Sequence, residues 1–123
     1  MRVIKIDQVP KDPFYGPTPT IGIGTIKAQT ILTEQMSKNY LIKVVHYNKG
    51  ARNKLHTHTC DQVLIVTEGK GIVATDQGET IVQAGDIVHI PAGEKHWQGA
   101  TKDDSFSHIF VLSADNQTTQ LEE

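Results

Sequence analysis

Six histidines stand in this chain of 123 residues, and three of them fall at spacings that let them act together. His56 and His58 are two apart, so on a strand both imidazoles project from the same face. Gln62 lies four residues further on, and even spacing allows its side chain the same side. A second stretch reads Gly85-Asp-Ile-Val-His-Ile-Pro91-Ala-Gly93-Glu-Lys-His96-Trp97. Its Pro-x-Gly predicts a tight turn, after which a strand restarts at His96. Two histidines, a glutamine and a third histidine from neighbouring hairpins can converge on one cation. Imidazole nitrogens mixed with an amide oxygen suit borderline divalent ions, and an octahedral ion so held keeps positions open for water, a chelating hydroxy-carbonyl compound or dioxygen. The competing reading is two exposed strand histidines and one unrelated loop histidine; the joint spacing weighs against it.

Other residues carry weaker signals. His108 shares strand parity with Phe106, Phe110 and Leu112, an apolar face that lowers its tendency to charge. It reads either as a neutral base near the metal or as a buried histidine bonded to a backbone carbonyl. Arg52, just before the ligand strand, either contacts a substrate anion or holds a surface carboxylate. His46 and His89 belong to no cluster and read as wall or surface residues, and Lys43 reads as a residue of the mouth or of the solvent. Cys60 has the parity to aim a thiol at the cation, but a lone cysteine is more often a small buried hydrophobe. Trp97 is expected to pack at the mouth of the site, within reach of a substrate ring. Ile21-Gly-Ile-Gly24 lacks the third glycine and the helix of a dinucleotide site, Asn116-Gln-Thr118 is a glycosylation sequon without a secretory context, and no serine sits on a nucleophile turn.

The elements that must position these side chains are strands. Val, Ile and Thr supply 36 of the 123 residues, a bias toward pleated sheet. Candidate strands are 40–47, 62–67, 71–75, 80–83, 86–90 and 105–112, with Asp76-Gln77-Gly78 as a hairpin turn. Residues 27–38 are the one stretch with a weak helical reading. Four prolines (Pro10, Pro13, Pro17, Pro19) mark an extended surface arm within residues 1–30, whose Phe14 and Tyr15 need somewhere to pack. Residues 113–123 are polar and expected to fray. In VLIVT both strand faces are apolar, so a second layer is expected outside the core: the arm or a partner subunit. A homodimer is the economical choice.

Length fits one domain over residues 1–123, with its core at 40–112. A formal net charge of −2 gives no footprint for nucleic acid. No apolar run has the length of a membrane span, and the N-terminal residues lack a signal-peptide core. One cysteine excludes an internal disulfide framework and fits a reducing compartment, so a cytoplasmic protein is expected.

The pattern G-x5-H-x-H-x3-Q-x6-G over Gly50–Gly69, followed by G-x5-P-x-G-x2-H over Gly85–His96, resembles the two motifs of the cupin superfamily. The resemblance runs from Gly50 to Trp97 with nine residues at fixed spacing. It implies an all-β, double-stranded β-helix (a jelly-roll barrel of antiparallel strands) with one divalent metal ion on His56, His58, Gln62 and His96. Mn²⁺ or Fe²⁺ suits this nitrogen-and-oxygen set best, and Zn²⁺ and Ni²⁺ fit the same ligand types. Many cupins carry Glu where this chain has Gln62 and Asn where it has Ala100. Gln62 leaves the ligand set neutral, which weakens metal retention but sharpens Lewis acidity toward a carbonyl or hydroxyl. The Gln form, with GEKHW and a later His in FSHIF, is similar to a subgroup of small bacterial cupins. That subgroup includes manganese-dependent hydroxynitrile lyases and proteins linked to carboxymuconolactone decarboxylase-like domains. It implies a pocket role for His108, and it also has Arg at the place of Arg52. A metal-dependent enzyme on a small hydroxy- or carbonyl-bearing molecule is expected, of lyase or isomerase type, or an oxygenase if loaded with iron. The alternatives are a non-catalytic ligand-binding module, an accessory partner of a decarboxylase-like enzyme, or a barrel whose metal serves folding alone.

Overall fold

Strands form where β-branched and aromatic residues concentrate. The computed structural model describes residues 1–14, 16 and 19–123; the packing of Tyr15 lies outside the described residues. Among the described residues a short 3-10 turn, Ile6–Gln8, precedes twelve strands. They are β1 Asp12–Pro13, β2 Gly22–Ile23, β3 Ile26–Leu32, β4 Tyr40–Tyr47, β5 Arg52–Asn53, β6 His56–His58, β7 Gln62–Thr75, β8 Gly78–Gln83, β9 Ile87–Ile90, β10 Trp97–Ala100, β11 Phe106–Ser113 and β12 Thr118–Gln120. Ten join in one antiparallel sheet, ordered β1-β3-β4-β11-β7-β10-β5-β2 with β8 and β9 also paired to β7, and β12 pairs with β6. The all-β, antiparallel architecture expected from the sequence is the one observed. Among the described residues no helix is long and apolar enough to cross a membrane.

The longest strand explains how the sheet curls. Residues 62–67 and 71–75, expected as two strands, form the single β7. Its first half pairs with β9 and β11, its second with β8 and β10. Gly69 sits between the halves at φ +72°, and a Cβ there would lie 1.8 Å from the Ser105 carbonyl oxygen. Only glycine lets the strand bend against that backbone.

Parity sorts the side chains. Val45 and Tyr47 of β4, Leu64 and Val66 of β7, and Phe106, Phe110 and Leu112 of β11 face the core, where Leu64 and Phe106 are fully enclosed. The opposite face of the same strands carries the second apolar set. Ile87, Ile65, Ile109 and Val44 lie directly opposite one another across β9, β7, β11 and β4. The N-terminal segment covers one end of this face. Gln29 on β3 donates from Nε2 to the carbonyls of Ile6 and Val9, at 2.8 and 2.9 Å. With its amide nitrogen so engaged, Gln29 Oε1 accepts from His46 Nε2–H at 2.7 Å, and His46 Nδ1 accepts from the Ser107 hydroxyl at 2.7 Å. His46 is thus a wall residue on the outer face, where burial lowers its pKa.

Three expectations are corrected. The stretch 27–38 is not helical: Ile26–Leu32 pairs with β4, as its β-branched content favours, and a turn closes from Thr33 to Ser37. The barrel therefore begins inside the expected arm, although Asp12–Pro13 does lie at a sheet edge, where proline is tolerated. The tail does not fray, because Thr118–Gln120 pairs with His56–His58 and Glu122 binds Arg52.

Candidate metal centre

His56 and His58 lie on β6, a strand of three residues held on both sides. On one side His56 and His96 exchange backbone hydrogen bonds of 3.0 Å each, which places His96 beside His56. On the other side β12 pairs residue for residue, Thr118 opposite His58 and Gln120 opposite His56. Gln62 opens β7 next to Ile90. The four side chains are all buried, with exposures from 1% for His56 to 8% for His58.

The three imidazoles gather at one point. Ring centroids are 4.3 Å apart for His56 and His96, 4.9 Å for His56 and His58, and 5.4 Å for His58 and His96. One nitrogen from each ring lies within 4.8 Å of the others. The outward nitrogens are already engaged. His56 Nδ1–H donates to the Lys54 carbonyl and His96 Nδ1–H to the Glu94 carbonyl, so in both rings Nε2 carries the lone pair. His58 Nδ1 bonds the Thr118 hydroxyl at 2.8 Å, and Thr118 Oγ1 also accepts from Asn116 Nδ2.

These constraints test whether a cation fits. His96 Nε2 faces Gln62 Oε1 at 3.3 Å, and with the ring proton on Nδ1 both atoms are acceptors. His58 Nε2 is buried beside the Gln62 amide without a well-formed hydrogen bond among the described residues. Acceptors turned toward one another in a desolvated place repel unless something positive stands between them. A divalent ion on His56, His58, Gln62 and His96 satisfies that need, so the donor set fits the metal expected. Burial also keeps the three imidazoles neutral: it lowers the pKa of His56 to about 3 and of His58 to about 4, with the neighbouring rings adding to the effect, and it lowers that of His96 as well.

His56, His58 and Gln62 line a cavity of about 370 Å³ whose walls include Ile21, Leu41, Val45, Phe110 and Leu112. His108 lines it and is fully enclosed, with its pKa lowered by burial to about 3. Its Nε2 lies 3.0 Å from the Tyr47 hydroxyl, while Nδ1 faces the Ile109 backbone without a well-formed bond. Gln98 lies beside the Tyr47 hydroxyl, whose pKa burial pushes upward.

The remaining candidates lie elsewhere. Arg52 is turned to the C-terminal segment, gripping Glu122 with two nitrogens and stacking on the Trp97 ring at 4.7 Å. Neither Arg52 nor Trp97 lines the cavity. A surface carboxylate, the second reading of Arg52, is the partner found. Cys60 bonds Asn116 and the Ser113 amide and packs against the core. His89 is exposed and pairs with Asp61 at 2.9 Å. Lys43 turns inward to the cavity. Sequence reasoning missed Tyr47, Gln98 and Thr118: their roles come from strand pairing across distant segments, and only the parity of Tyr47 with Val45 hinted at one of them.

Comparison with known proteins agrees with this geometry. The cupin-domain family model matches residues 43–112. The chain is 38% identical over 68 residues to the (R)-mandelonitrile lyase of Granulicella tundricola, covering 54% of this chain and 52% of that protein. It is 38% identical over 66 residues to the acireductone dioxygenase of Trichormus variabilis, covering 50% of this chain and 36% of that one. The chain thus spans about half or less of the length of these relatives. A cupin-like protein from Thermotoga maritima superposes with a TM-score of 0.82 at 28% identity, over 91% of this chain and 87% of that one. With its two histidine motifs, its curled antiparallel sheet and a family match over more than half its length, this chain belongs to the cupin family.

Proposed function

We propose that this cupin is a metal-dependent enzyme acting on a small hydroxy- or carbonyl-bearing molecule, with His56, His58, Gln62 and His96 as the ligands of one divalent ion. The observation that carries the reading is the set of facing acceptors at the inner end of a cavity that also holds a neutral imidazole. A bound divalent ion would supply Lewis acidity toward an oxygen of the substrate. The chain's own residues do the rest. Apolar walls exclude water, which strengthens every charge interaction inside. His108 is neutral, and the Tyr47 hydroxyl 3.0 Å from its Nε2 fixes the ring's orientation; a proton leaving the substrate would reach Nε2 through that hydroxyl and be held there only transiently, because burial keeps the ring's pKa at about 3. The relatives' names support a lyase reading first and an oxygenase reading second. Mn²⁺ or Fe²⁺ is the ion proposed, since the donors are three nitrogens and an amide oxygen. The lone Cys60 suits a reducing, cytoplasmic setting.

The test is elemental analysis of protein purified without a histidine tag, beside a His56→Ala, His96→Ala variant. About one transition metal per chain, lost in the variant, supports the centre; manganese or zinc directs the search to lyase chemistry and iron to dioxygen uptake. No metal in either protein and no uptake on reconstitution sinks the proposal.

A further inference from the structure

One charged side chain of the cavity has no part in that chemistry. Lys43 sits on the inward face of β4, in register with Phe110 and one pleat from the pair formed by Val45 and His108. It is half-buried and lines the same cavity as His56, His58 and Gln62. Drawing an ammonium group partly out of water costs hydration, and proteins normally offset this with a carboxylate. Among the described residues Lys43 makes no ion pair. Its Nζ lies over the Phe14 ring, 5.6 Å from the centroid. Glu34 is the one acidic residue among the described lining, but it is exposed, makes no ion pair with Lys43 and accepts instead from Gln35 at 3.4 Å.

The rest of the wall is uncharged, and three imidazoles and an amide leave a bound divalent ion with its full charge. A cavity that holds a cation and an unpaired ammonium, with no buried carboxylate to balance them, selects anions. Building on the metal-centre reading, we propose that Lys43 is a specificity determinant: the substrate is a small hydroxy or oxo compound bearing a carboxylate at its far end. The oxygen-bearing end faces the histidine cluster, and the distal carboxylate sits on the Lys43 ammonium. No atom of Lys43 takes part in bond-making; it selects and orients.

The experiment uses the full chain loaded with Mn²⁺, titrated calorimetrically with malate, 2-hydroxyglutarate and 2-hydroxyadipate, and with the 2-hydroxy monoacids of equal carbon number. Both series share the 2-hydroxy acid end, so their difference reads the distal carboxylate alone, and three chain lengths sample the reach. At least one diacid is expected to bind about tenfold more tightly than its monoacid, the size of a partly buried charge-assisted contact. Lys43→Gln removes that preference and Lys43→Arg keeps it, since a point charge is what is needed, while manganese content stays the same in all three proteins. Equal binding of both series by the metal-loaded wild type, or a preference that survives Lys43→Gln, overturns the assignment and leaves the metal centre standing. A chain that takes up no divalent metal on reconstitution, whether manganese, iron, zinc or nickel, overturns the metal centre, and this inference with it.

Discussion

His108 shows how burial alone can set a side chain's chemistry. Nothing charged pairs with it, its exposure is 0%, and burial holds its pKa at about 3 in the folded chain. In the unfolded chain the ring titrates near its ordinary 6.5. Between these values the unfolded state binds a proton that the folded state refuses, so stability present at neutral pH is lost as pH falls below about 6.5. Urea midpoints of wild type are therefore expected to decline from pH 6.5 toward pH 4. In His108→Gln the decline is shallower by roughly 1.4 kcal/mol per pH unit, the limiting contribution of one such group. Parallel declines in the two proteins would show that His108 does not bear this role. The same variant tests the proposed chemistry, since a glutamine keeps much of the volume but cannot take up the proton. Turnover should fall by about 10²- to 10⁴-fold with metal content unchanged. Equal turnover would leave His108 as a buried strut.

At the scale of elements, the ligand strand β6 is too short to hold itself, and its neighbours do so. Thr118 on β12 is the side chain that fixes His58, through Nδ1 at 2.8 Å. Partners of ligand imidazoles commonly set metal affinity by about 10- to 100-fold. Thr118→Val keeps the shape of the side chain and removes the hydroxyl, so chelator competition should show metal affinity about tenfold weaker, at little change in thermal stability. Unchanged affinity would make β12 a strand of structural use only. This arrangement was not legible in the sequence, whereas the gathering of the three histidines was. The spacing of His56 and His58 works on any strand, and the turn before His96 is spelled by Pro91 and Gly93. Thr118 lies 60 residues from its partner in a polar stretch with no periodicity, so only pairing in three dimensions reveals it. Arg52 stays open between two readings in the sequence for the same reason, because Glu122 reaches it from 70 residues away. Strand 40–47 was readable to its ends because its aromatic and branched residues run without Gly or Pro between Asn39 and Asn48, while Gly69 suggested a strand break and instead bends one continuous strand.

The whole molecule leaves one apolar surface partly covered. The hydrogen bonds of Gln29 anchor the N-terminal segment over the β3 side of the outer face. They leave the other side open, where Ile87 is 70% exposed and Ile65, Ile109, Val63 and Val111 are half-buried. The second layer called for by the two-faced VLIVT strand is thus supplied by the arm at one end and lacking at the other. Rows of branched aliphatic side chains on a flat sheet face suit a second copy of themselves, because a two-fold axis places the same patch on both sides. We propose a homodimer through the β9-β7-β11 face. Sedimentation is expected to give twice the chain mass of 13.6 kDa, and Ile65→Lys with Ile87→Lys should return the monomer mass while metal content is retained. Ile81→Lys is the control, since Ile81 is 60% exposed but lies on β8, paired with the second half of β7. A wild type that sediments as a monomer, or a dimer that survives both lysines, would remove this face from the assembly. A dimer split by Ile81→Lys would instead move the interface to the other half of the curled sheet.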